Sequence, residues 1–244
     1  MRLQKKGLEV SLRKFSGIES RLNMIELITT GDGSHSLLNT TLDETYHSRH
    51  GALQESKYVF IRQGLDFFIE KNSNSQVSIL EVGFGTGLNA WLTLQAAQSK
   101  SISISYTTLE TYPLSPAVWP HLNYATGSEF EKGFRDLHEA EWNKEVGIAS
   151  HFTLHKVEQS LQHFEACEKR FDIVYFDAFA PNKQPELWEA PVLEKVVDLL
   201  HTGGVFVTYC AKGQLKRDLK SFNLVVESLP GPPGKREMVR AIKK

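Results

Sequence analysis

The stretch "VYFDAFAPNKQPELW", Val174 to Trp188, runs an apolar strand pattern straight into an acid, Asp177, with an aromatic two residues on and a loop set by Pro181 and Pro185. An acid at a strand tip can accept a proton or orient a donor, and proline fixes φ in the loop beside it. A second stretch, "EVGFGTGLN", ends another apolar run with Gly83, Gly85 and Gly87. Glycines there let the backbone approach a ligand, and the helix that follows turns its N–H groups and positive dipole end toward an anion. The turn lacks the Lys-Ser/Thr ending of a P-loop, which argues against a nucleotide triphosphatase.

Glu110 ends the next strand, where a carboxylate can accept two hydrogen bonds from ribose hydroxyls. That arrangement serves dinucleotide binders and S-adenosylmethionine (AdoMet) binders alike. What separates the two is the G-x-G-x-G pattern in place of G-x-G-x-x-G, the acidic Glu81 just before it, and the Asp-aromatic-Pro loop after a later strand.

The elements that must position these residues follow from periodicity. "IELITT" and "HSLLN" read as strands around an Asp32-Gly33 hairpin turn, with "LEVSL" as a further strand before them. "LQESKYVFIRQGLDFFIEKN" has helical spacing, with Tyr58, Ile61, Leu65 and Phe68 on one stripe. After it, apolar strands alternate with helical segments: "VSILEV", a helix over "TGLNAWLTLQAA", "ISISYTTLE", two helices over "SPAVWPHLNYA" and "GSEFEKGFRDLHEAEW", then "HFTLH", "FDIVYFD", a helix over "LWEAPVLEKVVDLLH" stopped by Gly203-Gly204, and "GVFVTYC". Strands separated by helices imply a mostly parallel sheet covered on both faces. "FNLVVESLP" and "KREMVRAIK" have only "GPPG" between them, too short for a parallel crossover, so they pair as an antiparallel hairpin. In such a sheet ligands bind beyond the carboxyl ends of the strands, where the strand order reverses.

The 244-residue chain, 41% hydrophobic and 23% charged, suits one large core, and no apolar run approaches a membrane span. The N-terminus has no apolar signal core, and Cys167 and Cys210 match no metal or redox spacing, so a reducing cytoplasm is the expected setting. His151 and His155, four apart on a strand, do not make the helical one-face spacing of a zinc site, and no metal is expected. The net charge of −1 hides basic ends: residues 1–24 carry six Lys/Arg against two Asp/Glu, and residues 210–244 nine against three. If the termini fold near each other, those ends form a phosphate-binding surface; if not, they are solvated charges.

"LEVGFGTGLN", "ETYPL", "FDAFAPNKQPELW", "TYCAKG" and "GKREMVRA", with "YHSRHGALQESKYVF" upstream, resemble the methyltransferase domain of the MnmC-like proteins over roughly residues 25–244. The resemblance implies an α/β class I AdoMet-dependent methyltransferase: a Rossmann-like, mostly parallel seven-stranded sheet with an antiparallel last strand. A strand-rich extension over 1–50 would precede a methyltransferase domain over 51–244 with a helical insertion at 111–150. Larger members add an FAD-dependent oxidase domain; with no second glycine fingerprint, this chain is expected to be a stand-alone methyltransferase. The implied reaction is methylation of the aminomethyl nitrogen of a modified tRNA wobble uridine, giving 5-methylaminomethyl-2-thiouridine. The implied partners are the anticodon region of tRNA and, functionally, the enzymes that supply the aminomethyl precursor.

By the same resemblance, Glu81, Gly83, Phe84, Gly85, Gly87, Asn89, Glu110, Glu158 and Tyr58 would contact AdoMet, and Asp177 would be catalytic. On the substrate side, Phe179 would wall the nucleobase and Pro181, with Pro185, would keep the loop from collapsing into the site, while Lys183, Lys212, Lys235, Arg236 and Arg240 would either hold phosphates or stand as solvated charges. Two positions depart from the family pattern. Ala178 replaces the glycine of Asp-Gly-Phe-Ala-Pro, and Val157-Glu158 stands where Gly-Asp is usual at the adenine pocket. An alkylamine is mostly protonated at neutral pH, so Asp177 would accept an N–H, orient the lone pair and help the proton leave. Phe179 would stack on an unstacked base. The alternatives are an AdoMet enzyme acting on another amine, a non-catalytic RNA-binding protein of the same fold and, more distantly, an NAD-dependent oxidoreductase.

Overall fold

The computed structural model describes residues 25–72, 75–166 and 170–244. The expected strand at "LEVSL", the basic N-terminus and Cys167 lie outside them. The described chain opens with β1 (Ile25–Thr29) and β2 (His35–Asn39), paired antiparallel, and the short β3 (Glu44–Thr45) against β2. The turn between β1 and β2 is built as its residues dictate. Asp32 Oδ1 accepts the Ser34 N–H at 3.0 Å, Gly33 takes φ 82°, and Asp32 Oδ2 accepts the Gln54 N–H at 3.0 Å, docking the hairpin on the next helix.

That helix runs unbroken from α1 (Ala52–Ser56) through a π-helical stretch (Lys57–Asp66) into α2 (Phe67–Lys71). The wider π turn rotates the expected stripe. Val59, Phe60, Leu65 and Phe68 are buried, while Tyr58 and Ile61 are only partly covered. Then follow β4 (Gln76–Val82), α3 (Leu88–Lys100) and β5 (Ser103–Leu109). The helix expected over "SPAVWPHLNYA" is only a single tight turn, Trp119–His121, because Pro116 and Pro120 interrupt the backbone donors. α4 (Glu131–Glu139) is present, but residues read as part of a helical insertion form β6 (Lys144–Ala149), an exposed edge strand antiparallel to β7 (Phe152–Val157).

β8 (Phe171–Phe176) leads to the proline loop and α5 (Ala190–Asp198), which ends before the glycine pair expected to stop it. Gly203-Gly204 instead lies inside β9 (Leu200–Thr208), where Gly203 takes φ 79° and the pairing slips from Phe171–Leu200 to Ile173–Val205. α6 (Gly213–Ser221) is an addition to the expected elements. Its buried Leu215 and Leu219 are four apart, and full burial of such side chains contributes about 1.5–3 kcal/mol each. β10 (Leu224–Pro230) and β11 (Glu237–Lys243) close the chain as the expected antiparallel hairpin.

Among the described residues the large sheet has eight strands in the order β10-β11-β9-β8-β4-β5-β7-β6. β9, β8, β4, β5 and β7 are parallel, β11 is inserted antiparallel between β10 and β9, and β6 adds an edge to the seven expected strands. Alternate residues feed two cores. Ile173 and Tyr175 face the layer of the 52–71 helix, α3 and α4, whereas Val174 and Phe176 face α5 and α6. The order reverses between β4 and β8, so the crevice beyond their carboxyl ends lies between the glycine turn and Asp177. Among the described residues no helix is long and apolar enough to cross a membrane.

Candidate active site

Above that switch point lies a cavity of about 1030 Å³, roofed by the small N-terminal sheet and lined by Gly83, Phe84, Gly85, Asn89, Glu110, Asp177 and Phe179. Gly83 and Gly85 take φ 94° and 48°, a region that L side chains resist. A Cβ at Gly83 would lie 2.8 Å from the Asp177 carbonyl oxygen, so this glycine permits close approach of the two strand ends rather than of a ligand. A Cβ at Gly85 would come to 3.2 Å from Tyr46 Cδ1. The Asp177 N–H donates to the Val82 carbonyl at 3.0 Å, which ties the tip of β8 to the end of β4.

Asn89, in the first turn of α3, donates from Nδ2 to Asp177 Oδ2 at 2.8 Å. Burial, followed by the negative charge of Glu55, pushes the Asp177 carboxyl up to about 7, while the Asn89 hydrogen bond and Lys235 act the other way. A carboxylate poised there is matched to proton transfer at neutral pH. Three side chains pin the loop beyond it. Tyr209 O–H donates to the Ala178 carbonyl at 2.8 Å, Trp188 Nε1–H to the Phe179 carbonyl at 2.8 Å, and the Phe179 N–H to Gln184 Oε1 at 3.3 Å. Phe179 also meets Tyr46 edge to face, with centroids 5.1 Å apart.

Glu110 accepts the Gly85 N–H at 3.0 Å on Oε2 and the Tyr112 N–H at 2.9 Å on Oε1. Burial raises its carboxyl, and the backbone donors counter that. Each oxygen keeps a further lone pair for a ribose hydroxyl. The segment between β5 and β6 supports the glycine turn from behind. His138 lies flat on Trp119 at 4.7 Å and 7°, its Nε2–H donates to the Thr86 carbonyl at 3.1 Å, and Lys156 Nζ donates to the His138 carbonyl at 2.7 Å.

Other expected contacts fall elsewhere. Glu81 is fully buried beneath the cavity rather than lining it, accepts from Thr108 Oγ1 at 2.7 Å and is pushed up to about 8 by burial. Tyr58 turns away and donates to the Pro230 carbonyl at 2.9 Å. Glu158 is exposed, its backbone held by Asn143, and its neighbour Gln159 lines the cavity instead. Lys183 lines the cavity but spends its ammonium on the Leu42 carbonyl, at 2.8 Å, and on Asp43. Arg240 is buried and lines neither the cavity nor the groove beside it, being paired with Glu227 at 2.6 Å and stacked 3.4 Å over Phe67. Pro181, Lys212 and Arg236 border an adjoining open groove of about 670 Å³, which shares Tyr209 and Lys235 with the main cavity.

Sequence reasoning missed Tyr46, Glu55, Tyr209 and Trp188, which line or brace the site. The first two lie within the upstream motif "YHSRHGALQESKYVF", whose length of chain folds over the strand ends.

The glycine turn with its positive φ values, the Glu110 carboxylate at the second strand end and a deep cavity at the switch point fit a nucleoside cofactor. Residues 133–244 match a family described as S-adenosyl-L-methionine-dependent methyltransferase. The chain is 27% identical over 214 residues to the tRNA 5-methylaminomethyl-2-thiouridine biosynthesis bifunctional protein MnmC of Chromobacterium violaceum, covering 82% of this chain and 32% of that protein. It is 27% identical over 240 residues to the protein of the same name from Hydrogenovibrio crunogenus, covering 91% and 34%. The chain thus spans about a third of the length of these curated relatives. The crystal structure of MNMC2 from Aquifex aeolicus superposes with a TM-score of 0.77 at 25% identity, over 92% of this chain and 71% of that one. The fold is that of a class I S-adenosyl-L-methionine-dependent methyltransferase, and over most of its length the chain is similar to about a third of the MnmC proteins.

Proposed function

We propose that this domain methylates the aminomethyl nitrogen of a modified wobble uridine in tRNA, giving 5-methylaminomethyl(-2-thio)uridine. The observation that carries the reading is the Asp177 carboxyl, held by Asn89 across the switch point from the glycine turn and pushed up to about 7. The names of the MnmC relatives support the choice of substrate. AdoMet supplies an electrophilic methyl group on a sulfonium. The backbone of the turn at Gly83 and Gly85 and the free lone pairs of Glu110 bind it, with Phe84, Asn89 and Gln159 on the cavity wall; Gly87, expected to contact it, does not line the cavity and instead makes room for His138, 2.8 Å from where its Cβ would lie.

Asp177 accepts an N–H from the incoming aminomethyl group, takes a proton and directs the nitrogen lone pair. Phe179, its backbone fixed by Trp188 and Gln184 and its ring set against Tyr46, walls the base. Lys212 and Arg236 in the adjoining groove hold RNA phosphates of the anticodon region. The protein works in the cytoplasm, downstream of the enzymes that install the aminomethyl group.

The test is incubation with labelled AdoMet and tRNA carrying the unmethylated aminomethyl uridine, followed by nucleoside analysis. Label in 5-methylaminomethyl-2-thiouridine is expected. Label in another nucleoside, or transfer only to small amines, would overturn the assignment.

A further inference from the structure

Lys235 lies where the main cavity and the adjoining groove meet. A lysine kept for phosphates would stand free in solvent. This one donates to Glu55 Oε1 at 2.5 Å, its side chain 30% exposed against 6% for its partner, and its ammonium rests 3.6 Å from the Tyr209 ring centroid. The turn that carries it is fixed: the Lys235 N–H donates to the Pro232 carbonyl at 2.9 Å and the Gly231 N–H to the Arg236 carbonyl at 3.2 Å. Glu55 is held equally well, since its Oε2 accepts the Ser48 N–H at 2.7 Å. Tyr209 completes the connection by donating to the carbonyl of Ala178, the residue after Asp177.

We propose that the Glu55–Lys235 ion pair is a positioning element of the transfer site: through Tyr209 it fixes the turn that carries Asp177, and it balances the charge that the carboxylate faces. Lys235 on this account serves the chemistry rather than the RNA backbone. The proposal rests on the reading of Asp177 as the proton acceptor. Asp177 is faced by Asn89 from α3, Tyr209 beyond β9, Glu55 from α1, Lys235 from the β10–β11 turn, and Glu81 and Tyr106 from β4 and β5 beneath. Burial keeps Glu81 protonated at neutral pH and raises both phenols, and His47, beside Glu55, is pushed down to about 4 and is neutral. Glu44 and Glu110 line the same cavity and are untouched by the substitutions below. Glu55 and Lys235 are therefore the charges whose balance Asp177 feels, one raising its carboxyl and the other lowering it.

The test is the pH dependence of single-turnover methyl transfer for Lys235→Met, Glu55→Gln and the double variant, with folding followed by thermal melts. Lys235→Met leaves Glu55 unbalanced and should move the low-pH fall in rate upward by roughly one unit; Glu55→Gln should move it downward by a similar amount. The double variant should return toward the wild-type profile. Lys235→Met should also leave the salt dependence of tRNA binding as it is, whereas Lys212→Ala should flatten it. Shifts in the same direction, unmoved profiles in folded variants, or a salt slope that falls as much for Lys235→Met as for Lys212→Ala would overturn the proposal. If Glu55→Gln does not fold, Lys235→Met decides alone by the direction of its shift. Asp177→Ala in the same assay separates the two claims: wild-type turnover there would remove the underlying reading, while an inactive Asp177→Ala beside unmoved profiles would remove only the role of the ion pair.

Discussion

The amide of Asn89 donates to the Asp177 carboxylate at 2.8 Å, and this one bond joins the first turn of the helix after the glycine loop to the tip of the strand across the switch point. It stabilises the charged carboxylate in a setting where burial opposes charge, so Asn89 sets how readily Asp177 ionises. Asn89→Ala should move the low-pH fall in rate upward and slow transfer at pH 7 by roughly tenfold, the equivalent of about 1.4 kcal/mol. A pH profile that does not move, in a folded variant, would detach Asn89 from Asp177.

Glu81 lies one step deeper. Burial raises its carboxyl more than the hydrogen bonds from Thr108, Asn89 and Tyr106, which favour the charged form, lower it. The folded protein holds that proton up to about pH 8, whereas the unfolded chain releases it near the ordinary 4.5, so this group's contribution to stability is full below 4.5 and is lost as pH rises through 8. Glu81→Gln is neutral at every pH. Thermal melts from pH 5 to 9 should show the variant gaining on wild type as pH rises; a constant or shrinking difference would mean that Glu81 is ionised in the fold.

The glycine turn makes a separate prediction. Gly85 has φ 48° and faces Tyr46 at close range, so Gly85→Val strains the backbone and pushes on the cavity wall. Calorimetry should show AdoMet affinity falling by at least tenfold, with a cost in stability of about 1 kcal/mol or more. Undiminished affinity in a folded Gly85→Val protein would place the cofactor elsewhere.

The basic residues of the C-terminal region divide into two classes. Lys212→Ala with Arg236→Ala should weaken tRNA binding and reduce its salt slope by up to ~0.7–0.9 for each phosphate the protein no longer neutralises. Arg240→Ala should leave that slope alone and cost roughly 1.5–3 kcal/mol of stability, because it removes a charged hydrogen bond to Glu227 and the stacking on Phe67. Binding titrations across salt, together with melts, read both.

Much of this arrangement is legible in the sequence because its signals are local. The alternation of strands and helices points to the parallel sheet, the short "GPPG" loop to the antiparallel hairpin, and the strand-end glycines and Asp177 to the place of the site. What escapes depends on long-range packing. No periodicity announces that a π-helical stretch turns Tyr58 away from the cavity, that Arg240 meets Glu227 across a hairpin, or that Trp188 and Tyr209 hold two successive carbonyls beyond Asp177. Glu81 reads as a ligand acid by its position before the glycines, yet its side chain falls on the inward face of the strand and is sealed there.

Single-turnover transfer from saturating AdoMet to saturating tRNA by Asp177→Ala, with folding checked by melts, tests the central claim most directly. As a turn residue Asp177 would cost about 0.5–2 kcal/mol of stability on truncation and leave transfer nearly intact in the folded fraction. As the proton acceptor, it should take the rate down by roughly 10²–10⁴ while AdoMet still binds, with Asp177→Asn between the two. A folded Asp177→Ala protein within about threefold of the wild-type rate would contradict the account, because proton transfer by a positioned side chain contributes far more than that.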